Sequence, residues 1–190
     1  MDIIEHTAGS FIYLIRGALT PENCDHIINT FEDHPEDHRE GAVGLKQGIV
    51  VDESVKRSLD VSLDNQPHWD KTGDILYNSL IAAMKVLPDH FTSDKFTDQG
   101  YGVRRVDEGG FYEWHIDTGR EPYSLRQLVM LWYLSDVEEG GETEFSFQDV
   151  AVKPKAGTLL MFPPFWTHRH RGRVVEKGTK YIATTWVSYG

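Results

Sequence analysis

One cysteine, Cys24, is all the thiol chemistry that this chain of 190 residues carries. No internal disulfide can form, no Cys-x-x-Cys pair exists, and nothing requires an oxidising compartment. Positive charge is also in short supply: 19 Lys and Arg face 30 Asp and Glu, for a formal charge of −11. An acidic surface repels phosphates, so a nucleic-acid partner is not expected unless a local basic patch overrides the balance. Near the N-terminus, Asp2 and Glu5 are charged and the apolar run Phe11 to Ile15 is too short for a signal-peptide core or a membrane span. A cytoplasmic protein with no membrane partner is the expectation. Gly-x-Ser-x-Gly and phosphate-loop patterns are missing too, as are internal repeats and low-complexity segments.

What is present suits one globular domain over residues 1–190, with 39% hydrophobic residues and 12% aromatics. Phe11 to Ile15 reads as a strand. Thr20-Pro21-Glu22 offers an N-cap and a first-turn proline for a helix over 21–33, with Ile27, Ile28 and Phe31 on its buried face. Residues 34–48 read as a loop, and 49–51 and 59–63 as short edge strands. A second helix is expected over 67–87, opened by Pro67 and ending before Pro88. From Gly100 onward the pattern turns to strands, and Arg126 to Leu134 is apolar on both faces, as if covered by helices on one side and a ligand cavity on the other. Helices first and strands after predict a mainly β, α+β chain: a β-sandwich or jelly roll, with 1–98 as helical support and edge strands and 99–190 as the core.

The chemistry concentrates at His115-Ile116-Asp117. A histidine and a carboxylate two apart on a strand share a face and can converge on one cation. A further histidine would complete a two-His, one-carboxylate set that leaves the opposite face of the metal open, as in non-haem Fe(II) oxygenases. His68-Trp69-Asp70 repeats the pattern but falls at a helix start, where it reads as cap-region polarity. His34, Asp37 and His38 read as a solvated loop. Either His168 or His170 can supply the third ligand, since the two share a face in an extended segment.

Gly109-Gly-Phe-Tyr112-Glu-Trp-His115-Ile-Asp117 resembles the ligand strand of the prolyl 4-hydroxylase-like, 2-oxoglutarate-dependent Fe(II) dioxygenases. The similarity continues in order. Arg126 to Ser135 resembles that family's next long strand, Glu139-Gly-Gly-Glu-Thr143-Glu-Phe145 its Gly-Gly turn, Val152-Lys-Pro-Lys-Ala-Gly157 the turn into a further strand, and His170 to Trp186 its closing segment. The resemblance implies a double-stranded β-helix and an Fe(II) site of His115, Asp117 and His170, with His170 preferred because the family's metal histidine stands ten residues before its basic residue, here Lys180. The residues alone read Lys180 as a surface lysine at a strand start. The resemblance assigns it the distal carboxylate of 2-oxoglutarate, with Tyr133 and Thr184 close to the same group and Tyr112 aligned with a further family tyrosine that serves packing or ligand contact.

It also implies the reaction. Fe(II), 2-oxoglutarate and O2, with ascorbate as reductant, would hydroxylate an unactivated C–H bond of a peptidyl proline, a free amino acid or another small metabolite and release succinate and CO2. Related halogenases replace the carboxylate ligand by a small residue, so Asp117 favours hydroxylation.

One departure is Arg105, where many prolyl hydroxylases have a tyrosine; it needs an anion such as a co-substrate or substrate carboxylate, or Asp107 or Glu108, and it weakens a strictly peptidyl-prolyl reading. Arg169, Arg171 and Arg173 flank His170 and read either as a solvated face paired with surface carboxylates or as a group that steers an acidic substrate. A non-catalytic jelly-roll module would need neither triad nor lysine, a nucleic-acid demethylase would carry closing-motif arginines and a basic face, and a Zn(II) hydrolase would give Lys180 no role.

Overall fold

The computed structural model describes residues 2–45, 48–64, 66–88, 95–119 and 123–189. Strand β1 (Asp2–Glu5) pairs antiparallel with β2 (Tyr13–Arg16), which starts two residues later than expected because Phe11 takes a φ of 54° that no strand residue can hold. Helix α1 (Pro21–Asp33) begins where Thr20 accepts a hydrogen bond from the Asn23 amide, and it buries Cys24, Ile27 and Phe31 while Ile28 stays half-buried. The expected loop at 34–48 holds a 3-10 turn (Pro35–Asp37), β3 (Arg39–Glu40) and β4 (Ala42–Leu45), which forms a hairpin with β5 (Gly48–Val51). Nothing alternates in Ala-Val-Gly-Leu, and the connecting residues 46 and 47 lie outside the described residues. After β6 (Lys56–Arg57) and β7 (Leu59–Ser62), Pro67–Trp69 forms a separate 3-10 turn ahead of α2 (Asp70–Met84), so the second helix is shorter at both ends than expected.

The second half is strand after strand: β8 (Phe96–Asp98), β9 (Gly102–Val106), β10 (Phe111–His115), β11 (Arg126–Tyr133), β12 (Glu139–Gly140), β13 (Thr143–Phe145), β14 (Val150–Val152), β15 (Leu159–Phe162), β16 (His170–Gly172), β17 (Val175–Lys177) and β18 (Lys180–Tyr189). The larger sheet runs β1-β2-β15-β11-β18-β9-β7-β3, with β8 also on β18; β7 is thus an interior strand and not an edge. The smaller sheet runs β14-β13-β16-β10-β6. Strand alternation assigns the two faces of β11: Leu128, Met130 and Trp132 meet α1 and α2, while Val129, Leu131 and Tyr133 point between the sheets with Phe145, Leu160 and Phe162. The result is a double-stranded β-helix, a jelly roll, with helices on the outer face of one sheet and a cavity opening between the two.

The turn from β12 to β13 depends on glycine. Gly140 has φ +75°, and a Cβ there would meet the Val174 carbonyl oxygen at 2.2 Å and the Glu176 nitrogen at 2.9 Å. Gly140→Ala is therefore expected to destabilise the fold by at least about 1–3 kcal/mol from backbone strain alone. A urea midpoint equal to wild type would show that the turn relaxes freely.

Candidate active site

His115 closes β10, Asp117 follows it with its amide bound to the Pro164 carbonyl at 3.1 Å, and His170 opens β16 directly across the ladder from His115. Their ligand atoms all lie within 4.8 Å of one another. His115 Nε2 is 3.6 Å from Asp117 Oδ1 and His170 Nε2 is 3.7 Å from Oδ2, too far for hydrogen bonds and suited to a shared cation. Each imidazole is oriented from behind: Nδ1 of His115 donates to the Glu113 carbonyl at 2.7 Å and Nδ1 of His170 to the His168 carbonyl at 3.0 Å, the tautomer these partners require, which leaves both Nε2 lone pairs facing Asp117. Burial, then His170, pulls the His115 pKa down to about 3, and burial lowers that of His170, so both rings are neutral at physiological pH. Burial works against the Asp117 carboxylate, but His170, His115, the Trp186 indole and Arg126 outweigh it and hold its pKa below the ordinary value.

A bulge in β10 between Tyr112 and His115 cancels the strand alternation, so residues three apart face the same way and their rings stack at 3.6 Å. His168 does not share the His170 face: Trp166–His168 is a 3-10 turn, and His168 Nε2 meets the Ser10 carbonyl at 2.9 Å. Its own carbonyl is what orients His170.

A cavity of about 770 Å³ surrounds the three groups. Deep in its wall Lys180 is 4% exposed, and its Nζ donates to the Gly141 carbonyl at 2.7 Å and stands 5.7 Å from the Tyr133 ring centre. Thr184 also lines the cavity. Tyr133 is fully buried behind the wall and donates to Thr143 Oγ1 at 2.7 Å, so Thr143 is the hydroxyl at the surface there. Burial, then Arg104, lowers the Lys180 pKa to about 7.

Strand parity gives Arg105 the Asp107 partner that its charge calls for and turns it away from the cavity. It is cross-strand from Tyr181 on the helix side of the sheet and pairs with Glu32 at 3.0 Å and Asp107 at 3.2 Å, outside the cavity. Its neighbour Arg104 points inward instead, beside Lys56. Neither Arg104 nor Lys56 stood out in the sequence, and only the register of β9 against β18 separates two adjacent arginines. Arg126 carries no such signal in the sequence either: it stacks on Trp186 at 3.6 Å and donates to the Asp117 carbonyl at 2.8 Å. Of the arginines around His170, Arg171 pairs with Glu144 at 2.7 Å, Arg169 and Arg171 lie over Trp114, and only Arg173, just past the end of β16, reaches the cavity rim.

The family model described as the 2OG-Fe(II) oxygenase superfamily matches residues 101–188, the stretch that contributes His115, Asp117, His170 and Lys180. That match takes in just under half of the chain. Among curated relatives, the chain is 25% identical to "Probable prolyl 4-hydroxylase 3" of Arabidopsis thaliana, over 100% of the chain and 72% of the relative. It is 32% identical to "Probable prolyl 4-hydroxylase 9" of the same plant, over 88% and 65%. Among solved structures, the viral collagen prolyl hydroxylase of Paramecium Bursaria Chlorella virus-1 shares its fold with a TM-score of 0.68 at 21% identity, over 98% of this chain and 99% of that one. A Trichoplax adhaerens prolyl hydroxylase superposes with a TM-score of 0.79 at 14% identity, over 95% and 84%. These likenesses agree on prolyl 4-hydroxylase-like oxygenase chemistry with Fe(II), 2-oxoglutarate and O2. Among the described residues, no helix is long and apolar enough to cross a membrane.

Proposed function

We propose that His115, Asp117 and His170 hold the Fe(II), that Lys180 receives the distal carboxylate of 2-oxoglutarate, and that the product is a hydroxylated peptidyl proline or free amino acid. The observation that carries this reading is one cavity holding both a three-ligand group and, in its wall, a buried lysine with no carboxylate bonded to it among the described residues. When bound, iron and co-substrate couple the oxidative decarboxylation of 2-oxoglutarate to C–H hydroxylation. The chain supplies position and polarity. Asp117 brings the negative charge that partly balances a divalent cation, and Arg126 fixes the Asp117 backbone. Phe145 and Phe162 flank His170, with Phe162 edge-on at 4.6 Å, and keep water from the back of the site. The stacked Tyr112 ring holds the His115 plane. Thr143, which accepts from Tyr133, and Thr184 line the same cavity and add hydroxyls to its wall. A prolyl substrate is supported by the names of the plant relatives, and the likeness to a hydroxylase solved with a peptide is consistent with it.

The lysine gives this reading a pH signature. Its folded pKa of about 7 lies below the ordinary 10.5, so above pH 7 the co-substrate-free protein holds Lys180 increasingly neutral. Binding the dianion then requires proton uptake. The KM for 2-oxoglutarate is expected to rise between pH 7 and 9 by up to about tenfold per unit, and Lys180→Arg, which stays charged, should flatten the profile. A wild-type KM that falls with pH over this range would remove Lys180 from the co-substrate site.

A further inference from the structure

Lys56 on β6 and Arg104 on β9 line the cavity, and they share one carboxylate. Lys56 Nζ donates to Asp60 Oδ2 and to the Ala42 carbonyl, and Arg104 Nε donates to Asp60 Oδ1 at 2.9 Å. Lys56 is only 3% exposed. The terminal nitrogens of Arg104 have no hydrogen-bond acceptor among the described residues, so the edge of the guanidinium suited to a carboxylate is open. Both cations stand over the ring of Tyr112, at 5.3 and 5.8 Å from its centre, and that same ring stacks on His115. One phenol ring therefore separates a buried cation pair from a metal-site histidine. Arg173, the rim cation, has Glu142 and Glu144 nearby, and Lys180 is assigned to the co-substrate. Lys56 and Arg104 are left with two positive charges against one negative, in a place where uncompensated charge is costly.

Resting on the oxygenase reading above and narrowing its substrate, we infer that Lys56 and Arg104 bind the carboxylate of the molecule to be hydroxylated, which is a free amino acid or a chain-terminal residue and not an internal residue of a peptide. The carboxylate fills the open edge of Arg104 and a remaining donor of Lys56, with a C–H a few bonds away directed past Tyr112 toward the metal site. Space permits this, because about 770 Å³ is in the range of cavities that enclose drug-sized ligands. The depressed Lys56 pKa, drawn to about 8 by burial and then by Arg104, fits a lysine awaiting a second anion. Asp60, pulled to about 2 by Arg104 and Lys56 against its burial, stays ionised and keeps the two cations together.

The test measures succinate formation with Fe(II) and 2-oxoglutarate, first without a further substrate. The panel then comprises free L-amino acids, their amides, peptides ending in a free carboxylate and a proline-containing peptide blocked at both ends. The inference expects at least one acid to stimulate with kcat/KM tenfold or more above its amide, the free-carboxylate peptides deciding between a free amino acid and a chain end. In Lys56→Met the preference should fall toward unity through KM, and in Lys56→Arg it should survive. Amides or the blocked peptide serving as well as acids would overturn the inference, as would absence of stimulation by any acid. So would a Lys56→Met defect confined to the KM for 2-oxoglutarate, which would make the pair part of the co-substrate site. Absence of any Fe(II)- and 2-oxoglutarate-dependent succinate from wild type would instead overturn the oxygenase reading itself, and the inference with it.

Discussion

Asp117→Ala is expected to reduce Fe(II)-dependent turnover by well over about 10²-fold, because losing merely the hydrogen-bond partner of a metal ligand typically costs 10–100-fold. Asp117 provides the one negative charge among the three groups, and both imidazoles direct a lone pair at it. His115→Ala and His170→Ala should fail to similar depth. His168→Ala is the informative contrast. It removes the imidazole bound to the Ser10 carbonyl but leaves the backbone oxygen that orients His170, so stability should drop while a measurable rate remains. Full activity in His170→Ala together with loss in His168→Ala would reverse the assignment. Initial rates of succinate release at saturating Fe(II) decide the matter.

Lys180→Ala should weaken 2-oxoglutarate binding by about 2–5 kcal/mol, the range for truncating one partner of a buried charge pair. That corresponds to about 30-fold to several thousand-fold in Kd. The effect is large because Lys180 is buried and its Nζ already donates to the Gly141 carbonyl, so the ammonium is held in place before the co-substrate arrives. Isothermal titration of the Mn(II)-loaded protein with 2-oxoglutarate gives the number, and an unchanged Kd would place the co-substrate elsewhere in the cavity.

Much of this architecture is legible in the residues. Thr20 and Pro21 mark the start of α1 by cap chemistry, and the double-faced apolar run of β11 announces a strand with helices on one side and a cavity on the other. His115 and Asp117 are legible because two ligands two residues apart need only local geometry. The rest depends on tertiary register. Arg104 and Arg105 are chemically equivalent in the sequence, and a one-residue choice of parity sends one into the cavity and the other to Glu32. Tyr112 faces the same way as His115 only through a bulge. Lys56 and Asp60 come from short strands with weak alternation and meet Arg104 through pairing of β7 with β9, more than forty residues apart in the chain. The β4–β5 hairpin carries no hydrophobic period, since its Ala42, Gly44, Gly48 and Ile49 line a cavity instead of entering a core.

In the proposed site, His115, Asp117 and His170 of this one chain hold the catalytic iron. Anaerobic dialysis of the metal-free protein against Fe(II), followed by iron counted per chain, tests that assignment most directly. One iron per wild-type chain is expected, retained in His168→Ala, with near-complete loss of that iron in the combined His115→Ala, Asp117→Ala, His170→Ala variant with its fold intact by circular dichroism. Undiminished iron in the combined variant would contradict it.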